Sequence, residues 1–167
     1  PIFRVLKLGH PTRVEANSTK VFDETYPLAS IVRYDFPARG DMPAVKLTWY
    51  DGGLKPARPE GLDRPLGAGG TIYVGDDGVI LDNKLLPGAR VEAFEAPPET
   101  VPRSPGHYEE WVRACKGGEA AGANFDEAGL VTEVVLLGNI ALRTGRRLEW
   151  DGPGLRVTNV VEANELL

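Results

Sequence analysis

The chain has 167 residues, of which 42% are hydrophobic, and it carries a formal net charge of −5 at pH 7. This length and composition favour one globular domain with its own core. No basic cluster is longer than Arg146-Arg147, so an acidic chain of this kind would repel a phosphate backbone, and we expect no nucleic-acid partner. The single cysteine, Cys115, excludes an internal disulfide framework.

The first predicted element is a helix, because Ile2 to Leu8 has helical apolar spacing and Gly9 offers a stop. The chain begins at Pro1 within this pattern, so we expect it to be part of a longer protein. His10-Pro11 predicts a surface turn. The alternation from Thr12 to Ala16 then predicts a half-buried strand.

Two further strands are predicted to pair as a hairpin with a long loop. Ile31 to Phe36 and Val45 to Tyr50 both alternate apolar with polar residues, and Pro37 to Pro43 forms the turn between them. The following segment, Asp51 to Gly70, is so rich in Gly and Pro that we expect no regular structure there.

A second, tighter hairpin is predicted around Asp76-Asp77-Gly78. Thr71 to Gly75 and Val79 to Leu81 flank this turn signal, and Ala89 to Phe94 could form one more strand. An extended Pro-rich run then leads to Ser104, which is predicted to cap a helix ending near Gly117-Gly118.

The segment from Asn124 to Gly145 predicts a long helix that is buried on most of its circumference and forms the core. Asn124 and Glu127 have the spacing of a reciprocal capping box, and Gly145 offers a left-handed stop. Gly138 indicates that another element packs closely there. Polar residues interrupt the apolar run, so we expect no membrane span.

The last strands are predicted at Leu148 to Trp150 and Leu155 to Val157. Together these elements predict an α+β fold, with an open, mostly antiparallel sheet, helices packed on one face, and a single domain over residues 1–167. The other face of that sheet would carry polar and aromatic side chains: Arg13, Glu15, Arg33, Asp35, Lys46, Thr48, Tyr50, Thr71 and Tyr73.

Three familiar signatures fail on inspection. Gly67-Ala68-Gly69-Gly70 is not a dinucleotide fingerprint, because a strand follows it instead of a helix. His107 and Cys115 would lie about 12 Å apart along one helix, too far for a nucleophile and its base, and Cys115 is expected to be a small core residue. The two histidines, His10 and His107, have no second ligand at a suitable spacing. We therefore expect no catalytic residues, no cofactor-binding residues and no metal site in this chain.

The candidate substrate-binding residues are those that strand ends and the start of a helix could bring together. Trp49 is either a platform for a sugar ring or a core residue, and His107 is either a hydrogen-bonding ligand or a packed histidine. Both alternatives stay open for each residue. The full predicted set is Lys46, Trp49, Tyr50, Arg103 and His107.

The run from His107 to Asp151 resembles the closing segment of the glucose-fructose oxidoreductase, inositol dehydrogenase and MocA family. It has a helix, a loop of small residues, a long helix ending in a threonine-glycine turn, and a basic-apolar strand. Ile31 to Gly53 and Ser104 to Trp111 are similar to a bacterial subgroup whose members often carry secretion signals. The resemblance covers nearly the whole chain.

The resemblance implies a C-terminal domain that shapes a substrate pocket and mediates oligomerisation. The family's upstream Rossmann domain, which binds NAD or NADP, and its catalytic lysine and helix motif would precede Pro1. Sugar-like substrates and a homo-oligomer are the implied partners, in the cytoplasm or, with a secretion signal, the periplasm. A stand-alone carbohydrate-binding or scaffold module without a Rossmann partner is the alternative.

Overall fold

The computed structural model describes residues 2–87, 91, 94–95 and 97–167. The chain packs as two compact units, of which the first comprises Pro1–Leu54 with Ser104–Leu167 and the second comprises Lys55–Arg103. Each unit has its own β-sheet. The assignment of residues 1–167 to one C-terminal domain stays a prediction.

The first unit is built on a five-stranded sheet in which every neighbouring pair is antiparallel, in the order β3-β2-β1-β7-β8. This confirms the predicted α+β class and the predicted hairpin of β2 and β3. Its strands are β1 (Arg13–Ser18), β2 (Ser30–Phe36), β3 (Val45–Tyr50), β7 (Leu148–Asp151) and β8 (Arg156–Val157).

The second unit contains a three-stranded antiparallel sheet of β4 (Ile72–Val74), β5 (Val79–Leu81) and β6 (Lys84–Leu86). The predicted hairpin is confirmed, β6 was not predicted, and Asp51 to Gly70 has no helix or strand, as expected. Thr71 and Tyr73 therefore belong to this unit, and their predicted place on the open face of the larger sheet is wrong. Most of the predicted strand from Ala89 to Phe94 lies outside the described residues.

In the described part of the first unit, three α-helices and one 3₁₀ helix accompany the larger sheet: α1 (Ile2–Val5), α2 (His107–Cys115), α3 (Phe125–Thr144) and the 3₁₀ helix Val161–Leu166. The first ends differently from the prediction. Lys7, with φ 46°, turns the chain, and the Leu8 N–H donates to the Phe3 carbonyl at 2.9 Å. Gly9 is not the stop, because the chain has already left the helix.

Helix α2 begins two residues later than predicted. Gly106, with φ 110°, is its N-cap, and the Ser104 hydroxyl accepts from the Gly106 N–H at 3.0 Å instead of capping the helix. Pro105 is therefore outside the helix. The predicted end is confirmed, since Gly117 adopts φ 83° and Gly118 donates to the Arg113 carbonyl.

Helix α3 begins and ends as predicted, but only half of its capping box forms. Asn124 Oδ1 accepts from the Glu127 N–H at 3.2 Å, and Gly145 adopts φ 60°. The Asn124 N–H donates to the Ala121 carbonyl at 3.1 Å, while the Glu127 carboxylate lies 4.0 Å from Arg4. The predicted return bond from Glu127 is wrong, because both groups have other partners.

The core lies between one face of the sheet and one face of α3. Gly138 allows close contact, since a Cβ there would lie 3.3 Å from Val32 Cγ1 and would collide with the Tyr34 hydroxyl. This confirms the predicted close packing at Gly138. The main core residues are Val14, Val32, Tyr34, Phe36, Val134, Leu137, Ile140, Ala141, Leu148 and Trp150.

Several apolar side chains of α3 are nevertheless exposed. Val131, Val135 and Leu136 have 39%, 58% and 53% of their surface accessible, so the prediction of burial on most sides is wrong. The helix packs on β1, on β2 at Gly138 and on the 3₁₀ helix, and it buries one face against them. No helix in the described part of the chain has the length and apolar character needed to cross a membrane.

Candidate functional site

The open face of the five-stranded sheet carries rows of alternating charge. Arg13 on β1 lies 3.4 Å from the Asp35 carboxylate and 3.8 Å from that of Glu149, and Arg33 lies 3.5 Å from that of Glu15. Arg33 also donates to Asn17 Oδ1 at 2.7 Å. These side chains are 37–48% exposed where they pair, so each pair contributes little to stability by itself. The rows form a polar surface with both signs of charge.

Two of the predicted site residues extend this polar face on the edge strand β3. Lys46 lies beside Asp35 in the register, and Tyr50 lies beside Ile31. Side chains two or four residues apart on a strand point to the same side. Lys46, Thr48 and Tyr50 therefore share the open face.

Trp49 points to the opposite face. It is paired with Val32, whose side chain packs against α3, yet the tryptophan is 60% exposed. The helix covers the centre of the sheet near Gly138, and β3 is the outermost strand. The core alternative for Trp49 is therefore wrong, and its ring is accessible.

His107 is exposed at the first position of α2, with its ring centroid 4.0 Å from that of Tyr108. Helix α2 buries none of its side chains, so Trp111 is 64% exposed and Cys115 is exposed as well. The packed alternative for His107 and the core prediction for Cys115 are both wrong.

Arg103 belongs to the second unit, where its guanidinium pairs with Glu99 at 2.8 Å on the surface. Of the other four predicted residues, Lys46 and Tyr50 share one face of the sheet and Trp49 occupies the other. A pocket shared by all five residues stays a prediction.

The start of α2 is tied to the loop before α3 through Glu110. Hydrogen bonds from the Ser104 hydroxyl and from the Gly122 N–H, which lies 2.9 Å from Oε2, lower the pKa of the Glu110 carboxyl. Arg4, which donates to the Gly122 carbonyl at 3.3 Å, and His107 lower the pKa of Glu110 further. These contacts position the loop between the two helices.

A second polar cluster was missed by the sequence analysis. Glu133 Oε1 on α3 lies 2.7 Å from His10 Nδ1 and accepts from Trp150 Nε1 at 2.8 Å. The Gly152 backbone lies against the His10 ring so closely that a Cβ at this position would overlap it. His10 is thus more than a surface turn residue, because a partly buried carboxylate fixes its ring.

The chemistry of this cluster is that of an oriented imidazole. A carboxylate at Nδ1 favours the tautomer with the proton on Nδ1, which leaves Nε2 as a hydrogen-bond acceptor. His10 and Glu133 are 123 positions apart, and only the tertiary fold brings them together. Among the described residues, no group of three His, Cys, Asp or Glu side chains is arranged to hold a metal ion.

No family model matches the chain, and no curated protein matches it at a significant level. The resemblance to the glucose-fructose oxidoreductase, inositol dehydrogenase and MocA family therefore rests on the residues quoted above.

Proposed function

We propose that this chain is the substrate-binding and oligomerisation domain of an NAD- or NADP-dependent oxidoreductase that acts on a sugar or cyclitol. The observation that carries the proposal is the open antiparallel sheet, which has α3 on one face and paired charges with Lys46 and Tyr50 on the other. A face that combines an aromatic side chain with charges of both signs is suited to a polar interface between subunits.

The redox chemistry in this proposal belongs to an upstream Rossmann domain. Such a domain binds the dinucleotide on a glycine-rich turn between a strand and a helix. Here Gly67 to Gly70 precede β4, so they do not have that order. The exposed apolar residues of α3, Val131, Val135 and Leu136, offer contacts for such a domain to pack against.

The test compares two proteins. One is the 167-residue chain, and the other is the complete reading frame that contains it. We expect calorimetry to show NAD or NADP binding only for the complete protein, and absorbance at the reduced-cofactor band to report turnover of a sugar or cyclitol only there. The isolated chain should be inert, because hydride transfer needs the cofactor held in register with the substrate.

Micromolar binding of NAD or NADP by the 167-residue chain would contradict this division of roles. A complete protein without a strand, glycine-rich turn and helix upstream would also contradict it. Cofactor binding by the isolated chain would direct attention to the loop from Asp51 to Gly70 as a phosphate site.

A stand-alone carbohydrate-binding module is the second candidate, and the exposed Trp49 ring favours it. An accessible tryptophan at the end of an edge strand offers an apolar face for stacking on a sugar ring. Glycan binding by the isolated chain that is lost in Trp49→Ala, together with a reading frame lacking a Rossmann domain, would support this candidate over the first.

A further inference from the structure

A cavity of about 300 Å³ opens between the β1–β2 connection and the C-terminal half of α3. None of the predicted site residues lines it. Its wall is apolar on one part and polar on another, and it lies entirely within the first unit. The lining residues that matter for binding are Phe22, Glu24, Tyr26, Asn139 and Arg143.

Hydrogen bonds to α3 hold the polar part of the wall in place. Asn139 Nδ2 donates to the Tyr26 hydroxyl oxygen at 3.1 Å, and Arg143 donates to the Asp23 carbonyl at 3.3 Å. At the base of the connection, the Thr19 N–H donates to the Ala29 carbonyl at 3.0 Å, and the Thr19 hydroxyl oxygen accepts from the Ala29 N–H at 3.2 Å. The connection is therefore fixed to the helix and closed at its base, which reduces the ordering cost of binding.

These bonds leave free donors and acceptors next to each other. Asn139 uses its amide nitrogen, so its carbonyl oxygen remains an acceptor, and Tyr26 accepts through its oxygen, so its hydroxyl hydrogen remains a donor. Arg143 uses one of its five N–H groups for Asp23. A pair of neighbouring hydroxyl groups, each able to donate and accept, matches this arrangement.

The apolar wall and the charge balance narrow the class of ligand. Phe22 is 36% exposed, and the Lys20 ammonium lies 5.4 Å from its ring centroid on the connection. The Phe22 ring can pack on the C–H face of a cyclic polyol. The cations near the cavity, Arg143 and Lys20, are matched by two carboxylates on the connection, Asp23 and Glu24. This balance favours a neutral ligand over a phosphate. The volume is at the lower limit of ligand pockets, so it suits a single ring.

We propose that this cavity binds a neutral cyclic polyol of monosaccharide size through Tyr26, Asn139 and Arg143, with Phe22 packed on the ring. The class of ligand follows from the lining side chains and does not depend on the oxidoreductase assignment. The site adds a binding function to the side of the domain that carries α3.

The test uses the 167-residue chain. The probes, myo-inositol and glucose, are titrated to about 50 mM, and binding is followed by amide chemical shifts. We expect a dissociation constant on the order of 1 mM for at least one probe, given the few polar contacts. The shifts should map to Val21–Pro27 and to Asn139–Arg143. Phe22→Ala and Asn139→Ala should each weaken binding about fivefold or more, as loss of about 1 kcal/mol implies.

Phe125→Ala is the matched control for Phe22→Ala, because Phe125 is 93% exposed and lies outside the cavity. It should leave the affinity unchanged. The amide spectrum of each variant reports whether its fold is retained. Tyr26→Phe provides a second, milder variant, since it removes one hydroxyl from a residue that is 66% exposed.

Three results would overturn the proposal. The first is no shift at 50 mM for either probe. The second is shifts that map to Lys46, Trp49 and Tyr50 and disappear in Trp49→Ala, which would put the polyol at the sheet edge. The third is inorganic phosphate binding in the cavity while neither polyol binds, which would make it an anion site. None of these results bears on whether the complete protein binds NAD or NADP, so the two proposals fail independently.

Discussion

The Tyr34 hydroxyl on β2 lies directly over Gly138 of α3, where the helix has no side chain. This contact brings the helix backbone close to the sheet. It also explains why a residue that weakens helices by about 1 kcal/mol relative to Ala occupies the middle of the longest helix in the described residues.

We expect Gly138→Ala to lower the free energy of unfolding by about 1–3 kcal/mol, because the new methyl group collides with the hydroxyl of the buried Tyr34. Gly129→Ala is the matched control on the same helix, since nothing lies within 4 Å of a Cβ there. It should stabilise the protein by up to about 1 kcal/mol. Urea denaturation of both variants measures the difference, and equal effects would contradict the contact.

Removal of the Tyr34 hydroxyl should partly rescue Gly138→Ala. In the double variant with Tyr34→Phe, the alanine methyl meets a hydrogen atom instead of an oxygen atom. A double-mutant cycle should therefore give a favourable coupling of at least about 0.5 kcal/mol. Additive effects would show that the strain arises elsewhere.

Tyr34 should also make stability depend on alkaline pH. Burial raises its pKa from 10.0 to about 12, so the unfolded state releases the phenol proton at lower pH than the folded state. The contribution of Tyr34 to the free energy of unfolding is fully present below pH 10 and is lost as the pH rises to about 12. The loss is roughly 2–3 kcal/mol, at 1.36 kcal/mol per pKa unit.

The measurement for Tyr34 is the difference in unfolding free energy between the wild type and Tyr34→Phe across pH 9–12. Other groups titrate in this range, and the comparison cancels their effect. Tyr26→Phe changes an exposed tyrosine, and it should lose as much stability at alkaline pH as the wild type. A parallel pH dependence in the wild type and Tyr34→Phe would count against the raised pKa.

Glu133→Ala should cost about 1–3 kcal/mol, because the buried Trp150 indole N–H loses its acceptor. Glu133→Gln should cost less, since an amide oxygen still accepts from the indole. Glu127→Ala is the control, because this exposed carboxylate makes only a long, weak ion pair with Arg4, at 4.0 Å. Denaturation gives the energies, and the indole proton shift of Trp150 reports the hydrogen bond directly.

The open face of the sheet should mediate a dimer or larger oligomer of the isolated chain, measured by light scattering. Thr48→Glu adds a charge to this face, and we expect it to raise the dissociation constant at least ~10-fold. Trp49→Glu makes the same change on the other face of the same strand and should leave the oligomer intact. A strictly monomeric wild type at high concentration would exclude this interface.

The features predicted correctly from the sequence are the local ones. Asn124 and Gly145 end α3 through contacts within a few residues, and strand alternation identifies β1, β2 and β3. The strands β4, β5 and β6 are all three residues long, too short for a period to show. The turn signal Asp76-Asp77-Gly78 identified β4 and β5, but no such glycine turn precedes β6, so it was missed.

The features that were missed depend on distant partners. Glu127 lies near Arg4 instead of returning to Asn124, and Glu133 bonds His10, a residue 123 positions away. The apolar pattern of α3 likewise shows which residues avoid water without showing what covers them, so Val135 was predicted buried and is exposed. Trp49 follows the same rule, because alternation gives its face but not its place on the outermost strand.

The order of the strands in the larger sheet also has a consequence in time. During synthesis, β1, β2 and β3 emerge before α3 and β7, and 74 residues separate Tyr50 from Phe125. At a synthesis rate of roughly 5–20 residues per second, the helix that covers the nascent three-stranded sheet begins to be made about 4–15 s after β3 is complete. During that interval the sheet's apolar face is bare and β1 is an unpaired edge, so the chain is then most prone to pair with another nascent chain or to need a chaperone.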